Sequence, residues 1–555
     1  MSWMRMLFAA AALALFPMHA VAASSDEAPT LKQDAAILAA ALRQLYPSYD
    51  RYGQGEAVDA ALARLAEVAR ADPDPLTFYR AVTDVAAVTR DEHVIPFPNS
   101  AYRSSRREGR MMLPYTVRWV DEVPYVVAVA DSAQGDLIGK QVVRFDDRPA
   151  AEVLATLRAT IPSDGLSETF AIRHLQDFTP TQNENYFDLN YPIWFGERGA
   201  YSLSVEGPDG EAIETVLEAL DWESFMRFYR ERLPRTPPVE FEWLDERTAH
   251  LTIRSFHDRY YEQHEVSPAA RFEAILAELN ARRDARLLLD LRENEGGGDI
   301  SSLLLDHLLQ RPFLEYDAVI TQFVGQPEAA LFCDNAAEVR FDPNWAIARK
   351  DGRFALKPEF LHLITGGLER APRDDAFAGE IVVLISGATG SAAVKVASVL
   401  AREGRARFVG EETGGAAAGA TAFGNCALTL PASGIRIDLP IVRFEREQSV
   451  PYGRGILPEV TVDAGLTPPL AERDEALEAA RKLSASQGVS KDDWSRANPS
   501  LRVLRGGAIL ADAGQGRDQQ RSGQGNLRDC AQPGPQGQAG LSGRAQARAS
   551  LSPDP

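Results

Sequence analysis

The chain has 555 residues, too many for one compact domain, and its 45% hydrophobic and 25% charged residues are the balance of a globular protein. Its 59 Lys and Arg against 79 Asp and Glu give a net charge of −20, which excludes a nucleic-acid partner and a polybasic membrane-surface role, because both need a basic face. Three cysteines exclude a disulfide-built scaffold and a four-cysteine zinc site.

Residues 1–23 carry Arg5, then the apolar run LFAAAALALF, then the small-residue site Ala20-Val21-Ala22. The run is about ten residues against the roughly twenty that cross a bilayer. It reads as a secretory signal peptide cleaved near Ala22 or Ala23, against the alternative of an uncleaved anchor. The mature protein is then periplasmic or secreted, with no stable membrane insertion after cleavage. Export permits disulfides, so a Cys333–Cys426 bridge and a pair of buried free thiols stand as equal readings.

Residues 24–108 are helical in pattern. LKQDAAILAAALRQLYP, AVDAALARLAEVAR and LTFYRAVTDVAAVTR each place apolar residues at three- and four-residue spacing. The pattern ends at Asp91-Glu92-His93, where Pro96 and Pro98 prevent continuation. Residues 109–237 are mixed α/β. Runs rich in β-branched and aromatic residues, MLPYTVRWV, PYVVAVA and KQVVRFDD, precede the helical PAAEVLATLRATI. That order is similar to a small PDZ-like peptide-binding module.

Residues 238–486 alternate strand and helix, which implies parallel strands joined by crossover helices. TAHLTIRSF, ARLLLDLR, GEIVVLIS and RARFVGEE read as strands; RFEAILAELNARRD, ISSLLLDHLLQR and SAAVKVASVLAREG read as helices. CALTLPASGIRIDLPIVRFE alternates with period two, like an antiparallel hairpin. From 487 to 555 the chain is rich in Gly, Gln, Ser, Arg and Pro, and reads as a tail unable to offset its ordering entropy.

Four runs in the β/α block could carry chemistry. Asp290-Leu291-Arg292-Glu293-Asn294-Glu295-Gly296-Gly297-Gly298 takes a buried strand into a glycine loop, which can turn backbone N–H groups toward a developing oxyanion. The same run could be only a tight strand-to-helix turn. Ser386-Gly387-Ala388-Thr389-Gly390-Ser391-Ala392 opens a helix, where positive potential favours an anion; alternatively Ser391 or Thr389 only caps the helix. Gly410-Glu411-Glu412-Thr413-Gly414-Gly415 and Gly455-Ile456-Leu457-Pro458-Glu459 follow. A fifth feature is His93, at the end of the helical region.

Taken together, in this order and spacing, the runs resemble the carboxyl-terminal processing (tail-specific) family of serine peptidases, in its tricorn-core and retinoid-binding-protein-like branch. Asp290, Leu291, Arg292, Asn294, Gly296 and Gly297 match its Asp-Leu-Arg-x-Asn-x-Gly-Gly pattern. Thr389, Ser391 and Ala392 match the nucleophile motif; Gly410, Thr413 and Gly415 match Gly-x-x-Thr-x-Gly; Gly455, Ile456 and Pro458 match Gly-Ile-x-Pro-Asp, with Glu459 as the acid. Asp91-Glu92-His93 resembles the family's Asp-Gly-His.

The resemblance implies an α/β fold: a crotonase-like β/α spiral core over 238–486, behind an N-terminal helical region and a candidate PDZ-like module. It implies a peptide or protein substrate and no metal or organic cofactor. Ser391 is the expected nucleophile, His93 the general base, and the Gly297 and Ala392 N–H groups the oxyanion hole. The family's Ser–Lys branch places its lysine where this chain has Ala416. Where the other branch has a glutamate this chain has Tyr452, so Glu447 is the expected orienting acid, with Glu445 nearby. Lys395 lies one helical turn after Ser391, and a solvated helix lysine is the reading preferred over a Ser-x-x-x-Lys dyad. Two other readings stand beside the peptidase: a non-catalytic peptide-binding relative of the same fold, and an ester hydrolase.

Overall fold

The first helix begins where a capping box dictates. Thr30 accepts the Gln33 N–H and the Gln33 side chain returns to the Thr30 N–H, starting α1 (Leu31–Leu45). The computed structural model describes residues 28–176, 186–232, 236–363, 369–422, 424–447, 450–465, 467 and 469–483. The expected signal peptide and the 487–555 tail lie outside the described residues. After α2 (Gly55–Arg70), Asp74 caps α3 (Pro75–Val88) and Pro75 occupies its first turn, where the missing N–H costs nothing. Leu38, Leu42 and Leu45 pack with Val58, Leu62, Leu65, Phe78, Val82 and Val85, the faces marked by their spacing. A turn carrying Asp91, Glu92 and His93 then leads into β1 (Ile95–Phe97).

The next region is a meander. Strands β2 (Tyr115–Val120), β3 (Val123–Val129), β4 (Gln141–Phe145), β5 (Ala200–Glu206) and β6 (Ala212–Glu218) lie side by side in chain order, each antiparallel to its neighbour. Helix α4 (Ala150–Arg158) seals one face, with Val153, Leu154 and Leu157 in one core with Trp119 and Phe145. The meander does not confirm the PDZ-like module expected here. The Thr160–Leu166 segment after α4 leaves this region, and the Gly165 N–H donates to Arg90 O of the helical region at 3.0 Å and the Leu166 N–H to Gly453 O at 2.7 Å.

The α/β core is the parallel sheet that alternating strands and helices require. Its elements are β7 (Val239–Trp243), β8 (Thr248–Ile253), α5 (Pro268–Ala281), β9 (Arg286–Asp290), α6 (Ile300–Leu308), β10 (Ala318–Thr321), β11 (Glu380–Ile385), α7 (Ser391–Arg402), β12 (Arg407–Gly410), β13 (Asn425–Thr429), β14 (Arg436–Pro440), β15 (Val442–Glu445), β16 (Val460–Thr461) and α8 (Glu475–Lys482). The sheet order is β7-β8-β9-β11-β12-β16, parallel throughout except for β7 against β8. Leu287 and Leu289 face α5, α6 and α7 on one side; Leu288, Val382 and Leu384 face Ala476 and Ala480 of α8 on the other. Burial on both faces explains why these strands read as unbroken apolar runs.

The expected hairpin is β13–β14, antiparallel with Cys426 opposite Leu439. Strand β1 pairs with the outer side of β14, so the N-terminal helical region is stitched to the hairpin. Cys426 is disulfide-bonded to Cys333, 93 residues earlier, which decides between the two cysteine readings. Among the described residues no helix is long and apolar enough to cross a membrane.

Candidate active site

The site is assembled where β9 and β11 end. Beyond Asp290 the chain must turn sharply, and Asn294 fixes the turn: its side-chain amide donates to Ile253 O at 3.0 Å, and its oxygen accepts the Gly296 N–H at 2.9 Å. Gly296 and Gly297 both hold left-handed φ, +112° and +132°. A Cβ on Gly297 would fall 2.2 Å from the Phe256 carbonyl carbon, and one on Gly296 would fall 2.7 Å from Ser391 Cβ. Glycine is therefore required twice: once against a neighbouring backbone, once against the serine.

Beyond β11, Thr389 ties the two loops together. Its hydroxyl donates to Leu291 O at 2.9 Å and accepts the Ser386 N–H at 2.9 Å. The remaining motifs close the frame: the Ile456 N–H donates to Thr413 Oγ1 at 2.8 Å, and the Gly455 N–H to Glu412 Oε1 at 2.8 Å. Ser391, the first residue of α7, is held at φ +44°, a conformation unusual for a residue with a Cβ. Strain of this kind persists where the surroundings over-determine the backbone, and it clusters at functional sites. The Ser391 N–H donates to Glu92 Oε1 at 3.2 Å. Neither the Gly297 nor the Ala392 N–H has a protein acceptor among the described residues. They leave two open donors beside the serine.

His93 comes from the opposite end of the chain and meets this frame through its carboxylate neighbours. Its Nδ1 lies 3.6 Å from Asp91 Oδ1 and 3.8 Å from Glu92 Oε1, ion-pair distances rather than hydrogen bonds, and is otherwise buried without a partner. Asp91 is fixed by the Tyr46 hydroxyl at 2.7 Å and the Thr421 hydroxyl at 2.7 Å. Asp164, from the segment after α4, accepts the Ala416 N–H at 3.0 Å and the Tyr52 hydroxyl at 3.1 Å. Burial works against the imidazolium, but Asp91, Glu92 and Asp164 outweigh it and raise His93 to about 9. Burial pushes Glu92 up to about 7 against the pull of His93. Burial also raises Asp91, but His93, Thr421 and Tyr46 prevail and hold it below the ordinary carboxylate range.

Other expected residues fall elsewhere. Glu447 is exposed; its backbone N–H donates to Asp317, and no bond from its side chain to His93 is found among the described residues. The carboxylates that face His93 are Asp91 and Glu92. Tyr452 is exposed and packs on Tyr52, ring centroids 5.6 Å apart. Lys395 is not solvated: it is buried, and its ammonium donates to Ser302 Oγ at 2.7 Å and Glu315 Oε2 at 3.2 Å. Burial holds it below the ordinary lysine range, against the attraction of Glu315. Ala416, at the position of the family's Ser–Lys lysine, lines a cavity of about 10 Å³ beside Ser391, with Asp164, Tyr316, Val394, Gly415 and Arg446.

Sequence reasoning did not find Asp164, which stands in a stretch without pattern, nor His174. The His174 ring stacks on Phe170 at 3.8 Å and pairs with Glu295 at 3.2 Å. A larger cavity, about 720 Å³, opens on the α8 side of the sheet among Arg173, Asp290, Arg292 and Asp474, and Ser391 does not line it. Its arginines are already paired: Arg292 binds both Asp290 and Asp474, and Arg173 binds Glu411 and Asp463. Among the described residues no cluster of His, Cys, Asp and Glu could hold a metal ion.

Residues 247–462 match the model described as Peptidase family S41. Among solved structures the chain is similar to mature CPAF, with 17% identity, a TM-score of 0.55, and coverage of 82% of this chain and 96% of that one. It is similar to mature CPAF complexed with lactacystin at 17% identity and TM-score 0.55, covering 82% of this chain and 97% of that one. The photosystem II D1 C-terminal processing protease aligns at 14% identity and TM-score 0.40, covering 80% of this chain and 95% of that one. No curated protein matches. At such identity the likeness to CPAF is one of fold.

Proposed function

The chain belongs to peptidase family S41 and is a serine-type peptidase, and from that premise we propose that Ser391 is its nucleophile and His93 its general base. Ser391 Oγ attacks the carbonyl carbon of a peptide bond. His93 takes the hydroxyl proton and returns it to the leaving amine, and water then releases the acyl group by the same path. The carbonyl oxygen becomes an oxyanion between the Gly297 and Ala392 N–H groups, preorganised donors that strengthen their hold as charge develops. Asp91, fixed by Tyr46 and Thr421, orients the ring in the role expected of Glu447. The observation that carries this reading is the strained Ser391 at the start of α7, with two unengaged N–H groups beside it and the Glu92–His93 pair at its own N–H.

The protein acts outside the cytoplasm in this reading. The leader pattern of residues 1–23 supports it, as does the Cys333–Cys426 disulfide, a bond that persists in oxidising compartments. The test is covalent labelling of the purified mature protein with a fluorophosphonate. Wild type takes the label and hydrolyses peptides, and Ser391→Ala does neither. Labelling that survives in Ser391→Ala defeats the assignment.

A further inference from the structure

Glu92 hydrogen-bonds directly to the backbone of the serine. Its side chain is 7% exposed, and one oxygen, Oε1, serves two partners: the Ser391 N–H at 3.2 Å and the His93 ring at 3.8 Å. The other oxygen lies 3.5 Å from where a Cβ on Gly390 would stand, against the last residue before α7. The carboxylate thus caps the helix that begins at the nucleophile and faces the base at the same time.

Two consequences follow from that placement. The first concerns direction. A helix N-terminus offers several unpaired N–H groups, and an anion beside them binds whichever it meets. With the Ser391 N–H taken by Glu92, only those of Ala392 and Gly297 remain open. The carboxylate also fixes the peptide plane before Ser391 and so helps to hold φ at +44°. The second concerns charge. Two carboxylates of its own turn, Asp91 and Glu92, face His93, and a third, Asp164 from the segment after α4, adds to their pull on its charge. Around Glu92 itself stand His93, Asp91, Asp164 and His174, with Tyr186 nearby. Arg51, which pairs with Asp164 at 3.8 Å and donates to Gly419 O at 2.8 Å, is the arginine of this group.

Building on the Ser391–His93 reading above, we propose that Glu92 is a positioning residue of the acyl-transfer site: it sets the orientation of the nucleophile's backbone and the protonation state of the base. The sign is fixed by the chemistry. A base must be neutral to accept the serine proton, and Glu92 as a carboxylate holds the proton on the ring. With His93 raised to about 9, the rate of serine reaction climbs as pH rises through that value. Glu92→Gln retains an oxygen for the Ser391 N–H and removes the charge. An opposite charge this close moves a titration by about one to three pH units, and sharing among three carboxylates places the effect of one near the lower end.

The experiment measures the second-order rate of fluorophosphonate labelling against pH for wild type, Glu92→Gln and Glu92→Ala. In Glu92→Gln the ascending limb moves to lower pH by about one unit. In Glu92→Ala the limb moves likewise and the plateau rate falls at least tenfold, because the Ser391 N–H has lost its acceptor. A parallel NMR titration of the His93 ring protons, in a Ser391→Ala background, reads the same shift without any reaction. An ascending limb and a ring titration that both stay at the wild-type pH in Glu92→Gln overturn the proposal. Wild type that fails to label at every pH, with the ring titration moving as expected, overturns the nucleophile assignment and leaves the link between Glu92 and His93 standing.

Discussion

Replacing Lys395 by Met separates a structural lysine from a catalytic one. Lys395 and Glu315 are 7% and 6% exposed and 3.2 Å apart. At an effective dielectric near 20 their attraction is about 5 kcal/mol before desolvation is subtracted. Removing one partner of a buried pair leaves the other charge stranded, typically at a cost of about 3–5 kcal/mol. Arg370 lies 3.6 Å from Glu315 and softens that loss, so the expected destabilisation of Lys395→Met is about 3 kcal/mol. The double variant Lys395→Met/Glu315→Gln recovers part of it, because no buried carboxylate is left unpaired. Urea unfolding followed by tryptophan fluorescence measures both, and fluorophosphonate labelling in dilute buffer at low temperature reports the serine. The expected result is a lowered unfolding midpoint with labelling retained. Abolished labelling at an unchanged midpoint would refute the argument and return Lys395 to the chemistry as a base.

Two further perturbations probe the frame. Gly296→Ala places a methyl 2.7 Å from Ser391 Cβ and 2.8 Å from the Ala392 nitrogen. A displacement of that order costs about 100-fold in rate, so labelling falls by about that factor while the protein still folds, and an undiminished rate counts against the described packing. Cys333→Ser/Cys426→Ser removes a cross-link closing 93 residues, with an expected loss of about 2–4 kcal/mol in urea unfolding, and no loss would show that the hairpin is held without it.

What the sequence disclosed and what it hid divide along a physical line. The parallel core was legible because strands buried on both faces carry little but apolar residues, as in Leu287–Leu289 and Ile381–Ile385. The loop glycines were legible because a Cβ at Gly297 would fall 2.2 Å from a neighbouring backbone carbon, a space that admits no other residue. Lys395 was misread because the helical spacing says which residues share a face, not what lies opposite. Its partner Glu315 comes from a loop 80 residues earlier. The resemblance points to an acid near Tyr452, whereas the carboxylates beside His93 are its own neighbours Asp91 and Glu92. Asp91 lies two residues from the histidine in sequence, but its fixing by Tyr46 and Thr421 is a matter of tertiary packing. Asp164 carries no local signal, since only the route of the Thr160–Gly165 segment brings it to Ala416.

The pairing of β1 with β14 has a consequence for the order in which the protein becomes active. The Glu92–Ser391 bond spans 299 residues, and the Thr421–Asp91 bond spans 330. A chain emerging from the ribosome presents His93 nearly 300 residues before Ser391, its proposed partner. When Ser391 appears, the strand that anchors the histidine's turn has not yet been made. Contacts so distant in sequence form late in folding, after the local helices and the meander. On the proposed Ser391–His93 assignment, the acyl-transfer site is complete only once β1 has paired with β14, so assembly of the site is tied to closure of the whole fold.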